Sequence, residues 1–420
     1  MTKHLSKIER LISELCPNGV EFKELGELGE FYGGLSGKSK DDFSNGNAKF
    51  VTYMNIYSNI AVNTDIDVFV KMGENENQNR IEYGDVLFTG SSETPDECGM
   101  SSVLTKKINE PLYLNSFCFG FRLNNKNLLL PEFSKYLFRD EQMRKQIART
   151  ASGVTRFNVS KKRFAKMTIP LPPLEIQEEI VNILNSFTDL EADLEAELDA
   201  RKRQYEHYRS EFLLFGDDVK NIELGKICDF IGGHAFKSSE LKREKLSDEY
   251  LQVVKIGNVD KAGALDISKA QYSMYSDSLK KFLIEKDDVL IAMTGATVGK
   301  TAYSQHNNLL LNQRVGLVRA NQTQMLKGFV KYLLLSEQFY VYCQAQAGGA
   351  AQGNISPSQI KSYKIPLPSL LEQKRVVSIL DKFDALVNDI SIGLPAELSA
   401  RRSQYEYYRG KLLTFNEYAK

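Results

Sequence analysis

Residues 294–301 read TGATVGKT behind the apolar run VLIAM, and a phosphate-gripping loop is the first chemistry that this spacing suggests. A P-loop needs GxxxxGK[ST], whose leading glycine lets backbone N–H groups curl around phosphate. Thr294 stands where that glycine belongs, and Gly295 comes one residue late. The loop should also open a helix, whereas AYSQHNNLLLNQ leads into another β-prone run. A polar turn between strands is the better reading, and no NTPase is expected. Pro95-Asp96 has no Glu-x-Lys or Asp-x-Lys after it, so it reads as a turn and not as a nuclease motif. GxSxG, HExxH, NPPY, a Pro-Cys nucleophile and a glycine-rich cofactor loop are all missing. The five cysteines never form a CxxC pair and the four histidines are scattered. We therefore expect no catalysis, no cofactor, no metal and no disulfide scaffold, in a reduced cytoplasmic compartment.

What remains is surface suited to nucleic acid. Arg139, Arg144, Lys145, Arg149, Arg156, Lys161, Lys162, Arg163 and Lys166 face only Asp140 and Glu141, a net +7 over residues 139–166. Within that window the loop TASGVTRFN at 150–158 offers small hydroxyl and amide side chains among cations. Cations position phosphates, and hydroxyls, amides and arginine reach base edges. A solvated helix face with a flexible turn explains the same residues equally well. The counterpart at 346–364 is nearly neutral and offers Gln346, Gln352 and Asn354 among glycines, which suits adenine as arginine suits guanine.

These residues sit in a chain that is written twice. ELGELGEFYGGLSGKS at 24–39 returns as ELGKICDFIGGHAFKS at 223–238. NVSKKRFAKMTIPLPPLEIQEEIVNILNSF at 158–187 returns at 354–383, and RKRQYEHYRSEFLLF at 201–215 returns as RRSQYEYYRGKLLTF at 401–415. A repeat near 200 residues is far longer than a solenoid unit and means a duplicated domain with a duplicated connector. The interiors at 40–150 and 239–345 match only in fragments, such as YGDVLFTG with KDDVLIAMTG. One frame with two interiors suggests two specificities, and predicts pseudo-twofold symmetry.

Ile176, Ile180, Ile183, Phe187, Leu190, Leu194 and Leu198 step as a coiled-coil-like stripe, and Val376, Leu380, Phe383, Val387, Ile390, Leu394 and Leu398 step identically. Prolines before each stripe are helix-start signals. Short β-prone runs and short helical patterns fill the interiors, so each half is α+β. The expected division is an amphipathic helix at 1–16, a globular domain at 17–173, a long helix at 174–215, a second domain at 216–369, and a second long helix at 370–420 broken near Gly393-Pro395. In the QYEHYR and QYEYYR segments, Tyr205, Tyr208, Arg209, Tyr405, Tyr408 and Arg409 are read as shared between packing and partner docking. The formal net charge is zero, which hides a basic domain edge beside an acidic helix (net −7 over 175–211). No apolar run approaches a membrane span, so no membrane is expected.

Two variable halves, each followed by IPLPPLEIQEEIVNIL or IPLPSLLEQKRVVSIL and then QYExYR, resemble the type I restriction–modification specificity subunit. The resemblance spans essentially the whole chain. It implies that each globular half is a target recognition domain and that the two long helices pair antiparallel between them. It also implies double-stranded DNA as ligand, read as a bipartite asymmetric target. Two DNA adenine methyltransferase subunits are the implied partners, with restriction subunits able to join. Ile176 stands where the second half has Glu372, so the first copy lacks the Glu-Gln pair. On this pattern we expect DNA contacts at Lys38, Ser39, Thr89, Ser91, Asn115, Ser152, Thr155, Arg156, Asn158, Lys161 and Lys162. In the second half they fall at Lys237, Thr294, Thr297, Lys300, Asn312, Gln313, Arg314, Gln352 and Asn354. The rival is a helical scaffold that organises partner proteins without reading sequence.

Overall fold

The computed structural model describes residues 2–259, 263–268, 270–321, 323–348, 353–388 and 393–418. Four helices frame them: α1 (Thr2–Leu15), α2 (Leu174–Phe212), α3 (Leu370–Asn388) and α4 (Leu394–Leu412). The 39 residues of α2 span about 58 Å at ~1.5 Å per residue. Gly393 is a bend and Pro395 lies in the first turn of α4, where its missing N–H costs nothing. Ile390, a member of the expected stripe, lies outside the described residues.

The chain divides into two compact units, one of Met1–Leu194 with Leu398–Lys420 and one of Glu195–Glu397. Each unit therefore contains part of α2, so the units do not follow the chain in simple succession. In the first unit, Phe187 lies 5.6 Å from Tyr408 and Arg402 pairs with Glu191 at 2.6 Å. In the second, Tyr208 lies 5.6 Å from Phe383 and the Arg375 guanidinium lies over Phe212. In both, numbers rise along one helix as they fall along the other, so the helices pair antiparallel. Ile176, Ile180, Ile183, Phe187, Leu194, Leu198, Val376, Leu380, Val387 and Leu398 are buried, as the stripes require.

The first unit is closed by the far end of the chain. Val20 N–H donates to the Asn416 carbonyl at 2.8 Å, and Tyr418 N–H donates back to Val20 at 2.9 Å. In the second unit the corresponding residues are continuous, and Val219 N–H donates to Gly216 at 3.0 Å. The extra helix α1 buries Ile8 and sets Lys7 on the buried Glu179 carboxylate, 2.5 Å away. That cover explains the exchange noted above: Ile176 is fully buried in the first unit, whereas Glu372 is half-buried and pairs with Arg375.

Each interior holds a main, largely antiparallel sheet beside a second sheet with one parallel pair. The strands of the main sheet and its neighbours at the site are β1 (Gly29–Gly33), β2 (Val86–Thr89), β3 (Ser91–Ser92), β4 (Ser101–Val103), β5 (Cys118–Leu123), β6 (Ala151–Ser152) and β7 (Phe157–Val159) in the first unit. The main sheet runs β1-β5-β2-β4, and β6-β7-β3 forms a smaller one. The second unit repeats the main sheet with β8 (Cys228–Gly232), β9 (Val289–Ala292), β10 (Thr301–Tyr303) and β11 (Val315–Ala320), in the order β8-β11-β9-β10.

Two buried polar devices recur. Gln177 is fully buried; its amide donates to the Leu128 and Pro172 carbonyls (2.9 and 2.8 Å) and accepts from Leu130 N–H (2.9 Å). Gln373 repeats this on Gln324, Pro368 and Leu326 (3.0, 3.0 and 2.9 Å). The IPLP…Q pattern is thus a clamp: the glutamine holds the carbonyl of the proline two residues past the strand, and the same side chain satisfies a loop N–H. Asp85 and Asp288 are 1% exposed and each receives two bonds from one guanidinium, Arg122 (2.9 and 2.6 Å) and Arg319 (3.0 and 2.5 Å). A carboxylate can remain charged inside a fold only when paired in this way.

Candidate nucleic-acid interface

Backbone bonds bring three loops together at one end of the main sheet in the first unit. Gly90 N–H donates to Phe117 (2.8 Å), Val159 N–H donates to Gly90 (3.0 Å), and Ser91 and Ser92 pair with Asn158 and Phe157. The second unit builds the same junction: Met293 N–H donates to Arg314 (3.1 Å), Ile355 N–H donates to Met293 (3.0 Å), and Thr294 pairs with Asn354. This register corrects the alignment of the two TG dipeptides. Thr89 corresponds to Ala292, and Ser91 corresponds to Thr294, because β2 and β9 pair with β5 and β11 without any insertion.

Of the expected first-unit contacts, Ser91, Asn115, Arg156 and Asn158 meet at this junction. Asn115 is half-buried and shapes the turn, its side chain accepting from Phe117 N–H at 2.9 Å. Arg156 donates through Nε to Ser91 Oγ at 3.1 Å, and its guanidinium carbon lies 5.7 Å from the Phe117 ring centroid. Ser152 and Thr155 are exposed on the β6–β7 hairpin, whose tip residue Val154 is 92% exposed. Gly153 makes that tip possible: its φ is +152°, and an added Cβ would stand 2.0 Å from the Arg156 carbonyl. Lys161 and Lys162 are exposed in the short helix after β7.

Three expectations need correction. Thr89 is fully buried and accepts from Met100 N–H at 2.9 Å, so it belongs to the sheet and offers DNA nothing. Lys38 is drawn to Glu76 (2.5 Å) and the Lys71 carbonyl (2.6 Å), and Ser39 closes a helical turn with Asp42 at 2.8 Å. Within the basic window, Arg139 donates to Ser101, Ile56 and Tyr57 carbonyls, and Arg144 to Gly99, Asp96 and Cys98 carbonyls. Burial pushes the Arg139 guanidinium down to about 10 and lowers Arg144 too, so both cations serve the fold. Lys145 pairs with Glu141. Arg149, Arg156, Lys161, Lys162, Arg163 and Lys166 are the exposed remainder around the hairpin.

In the second unit, Thr294, Asn312, Arg314 and Asn354 meet at the junction, with Gln313 exposed beside them. Arg314 takes the place of Phe117. Lys237 is exposed on a turn, and Thr297 closes a turn with Lys300 N–H at 3.0 Å. Lys300 lines a cleft of about 270 Å³ with Arg209 and Tyr340. Gln352 lies outside the described residues.

The tyrosine segments pack inward. Tyr205 is 4% exposed and reaches Asp384, Tyr208 packs on Phe383, and Arg209 pairs with Glu206 over the Tyr205 ring. Tyr405 and Tyr408 pack on Phe187, and Arg409 lies over the Tyr405 ring at 5.3 Å. The outward helix positions are instead His207 and Tyr407, both exposed. Tyr53, Tyr57, Glu97 and Phe117, absent from the expected set, also border the first junction. Only the exposure of an aromatic in a turn could have flagged Phe117, and that is not visible in a sequence. Among the described residues no acid, histidine and cysteine cluster could hold a metal, and no helix is long and apolar enough to cross a membrane.

The Type I restriction modification DNA specificity domain matches residues 17–200 and 216–400, most of the chain and both halves. The chain belongs to this family. Within it, the chain is 33% identical over 259 residues to the EcoR124I/EcoR124II specificity subunit of Escherichia coli, covering 60% of this chain and 63% of that one. A putative specificity subunit of Haemophilus influenzae is 33% identical over 277 residues, covering 63% and 68%. The chain thus spans about two thirds of the length of these relatives. The Mycoplasma pneumoniae putative specificity subunit S.MpnORF507P is 25% identical over 390 residues, covering 91% and 94%. Among solved structures, a chain from work on complex assembly and conformational transition of the type I R-M system matches at a TM-score of 0.67 and 16% identity, over 94% of this chain and 98% of that one. The HsdS subunit from Thermoanaerobacter tengcongensis matches at 0.52 and 18%, over 95% and 96%. At such identities these two establish the fold, with its repeated units and antiparallel helices.

Proposed function

We propose that this family member reads DNA sequence for a type I restriction–modification complex, each unit taking one half of a bipartite, asymmetric target. One observation carries the reading: the same three-loop junction is built twice, with Ser91, Phe117, Arg156 and Asn158 in one unit and Thr294, Arg314 and Asn354 in the other. A frame held constant while its exposed side chains change suits two different half-sites. The exposed cations around the first hairpin supply sequence-independent phosphate attraction, and the junction supplies discrimination. Catalysis is assigned to partners, two DNA adenine methyltransferase subunits with restriction subunits able to join, in the cytoplasm. In each unit the docking surface is the outward helix face, which carries His207 in one unit and Tyr407 in the other.

Methylation mapping tests this in cells carrying a methyltransferase partner, with and without the gene. A new split motif with two unlike halves is expected. Absence of any new motif would overturn the reading and leave a scaffold.

A further inference from the structure

A cleft of about 500 Å³ opens beside the first junction, lined by Tyr53, Met54, Tyr57, Ser91, Glu97 and Arg156 among others. Its charged lining is Arg156 together with two carboxylates, the exposed Glu93 and the hydrogen-bonded Glu97. Arg156 is fixed from two directions, by Ser91 Oγ at Nε and by the Phe117 face. No described residue accepts from its two terminal nitrogens, which remain for a ligand. Glu97 is held by three hydroxyls: Tyr57 at 2.9 Å, Thr94 at 2.9 Å and Ser92 at 3.2 Å. Those bonds, Tyr57's foremost, hold its carboxyl below the usual range, so it is an acceptor only. Two carboxylate oxygens offer about four acceptor sites, and three are used.

A fixed donor fork and a fixed acceptor lining one cleft have a defined complement. In the major groove guanine shows two acceptors, O6 and N7, and its cytosine shows one donor, the N4 amino group. Adenine sets a donor, N6, beside its N7 acceptor and thymine shows a single acceptor, so neither offers the fork the two adjacent acceptors that guanine does. Met54, 59% exposed, lines the cleft, and Phe117, 61% exposed, lies under its Arg156, as befits a surface that is covered when the ligand arrives. We propose that this cleft reads one G·C base pair of the half-site bound by the first unit, Arg156 donating to guanine and Glu97 accepting from cytosine. This rests on the DNA-reading function proposed above and deepens it, naming the base pair that Arg156 reads and adding Glu97 as its counterpart. Arg156 acts directly on the base; Ser91 and Phe117 are positioning residues.

The test maps methylation by the complete complex carrying the wild-type chain, Arg156→Gln or Glu97→Gln. Both variants should relax the same G·C position in one half-site, by about 5- to 100-fold in discrimination, and leave the other half-site intact. The intact half-site reports that the variant is folded and assembled. In binding assays the salt slope should stay unchanged, since a base contact releases no phosphate counterion. A wild-type split motif that neither variant alters overturns this inference alone. A variant that lowers the salt slope by about 0.9 with an unaltered motif makes Arg156 a phosphate contact and likewise overturns it. A wild type without a split motif would defeat the DNA-reading function, and this inference with it.

Discussion

Gln373→Leu removes one side chain that closes three hydrogen bonds inside the second unit. Leucine nearly preserves the volume, so the loss is polar. Leu326 N–H is left without its acceptor in a buried site, which costs about 1–3 kcal/mol. The Gln324 and Pro368 carbonyls each lose a donor, about 0.5–1.5 kcal/mol apiece. The total is about 2–6 kcal/mol, a drop in melting temperature of about 4–24 °C for a unit of this size. Hydrogen exchange localises the effect: protection should fall at Leu326 and at the start of α3, while the matching segments of the first unit keep theirs. Gln177→Leu should produce the mirror result. Gln373→Glu adds a pH signature, because the new carboxyl would face two carbonyl oxygens. Burial raises its folded-state pKa above the unfolded value. The variant is therefore most stable below about pH 4 and loses stability as pH rises through the raised pKa. A melting change under about 2 °C for Gln373→Leu, or a loss of protection spread over both units, would refute the clamp.

Arg319→Leu strands the buried Asp288 carboxylate and should cost about 3–5 kcal/mol, much of it recovered when Asp288→Asn is added; equal losses in the single and double variants would contradict this. Asp140 is a buried N-cap whose carboxyl is pushed up by burial, so the wild type loses stability as pH climbs through that raised value. Asp140→Asn keeps the cap and should raise the melting temperature at pH 7 but not at pH 3, where the wild-type group is neutral; a gain at both pH values would contradict the assignment. Lys161→Glu with Lys162→Glu should weaken DNA binding at every sequence and lower the salt slope by about 0.9 per lost phosphate contact. An unchanged slope would place that patch away from DNA.

The repeat and its two helical stripes were readable because period and offset are properties of the chain alone. Ile176, Ile180, Ile183, Phe187, Leu194 and Leu198 are buried for the reason their spacing gives, with Leu190 half-buried between them. The closure of the first unit was not readable, since Val20 meets Asn416 through space and nothing local to either announces it. Charge counting failed at Arg139 and Arg144, which turn inward because carbonyls at strand ends and turns need donors. The TG dipeptides that end YGDVLFTG and KDDVLIAMTG are not equivalent in the fold, since strand pairing gives Thr294 the place of Ser91. The tyrosines of QYExYR were half understood, since an aromatic stripe that suits a partner equally suits the neighbouring helix. At the candidate interface, four residues of each junction were named from the family resemblance, on loops whose residue types suit DNA. Phe117, Tyr57 and Glu97 escaped because their part depends on which loops converge.

The most direct measurement of the central claim exchanges residues 20–168 for those of a relative with a different target and maps methylation by the assembled complex. Modular reading predicts that one half of the split motif changes to the donor's and the other half stays as it was. A motif that changes in both halves, or in neither, would contradict the assignment of one half-site to each unit.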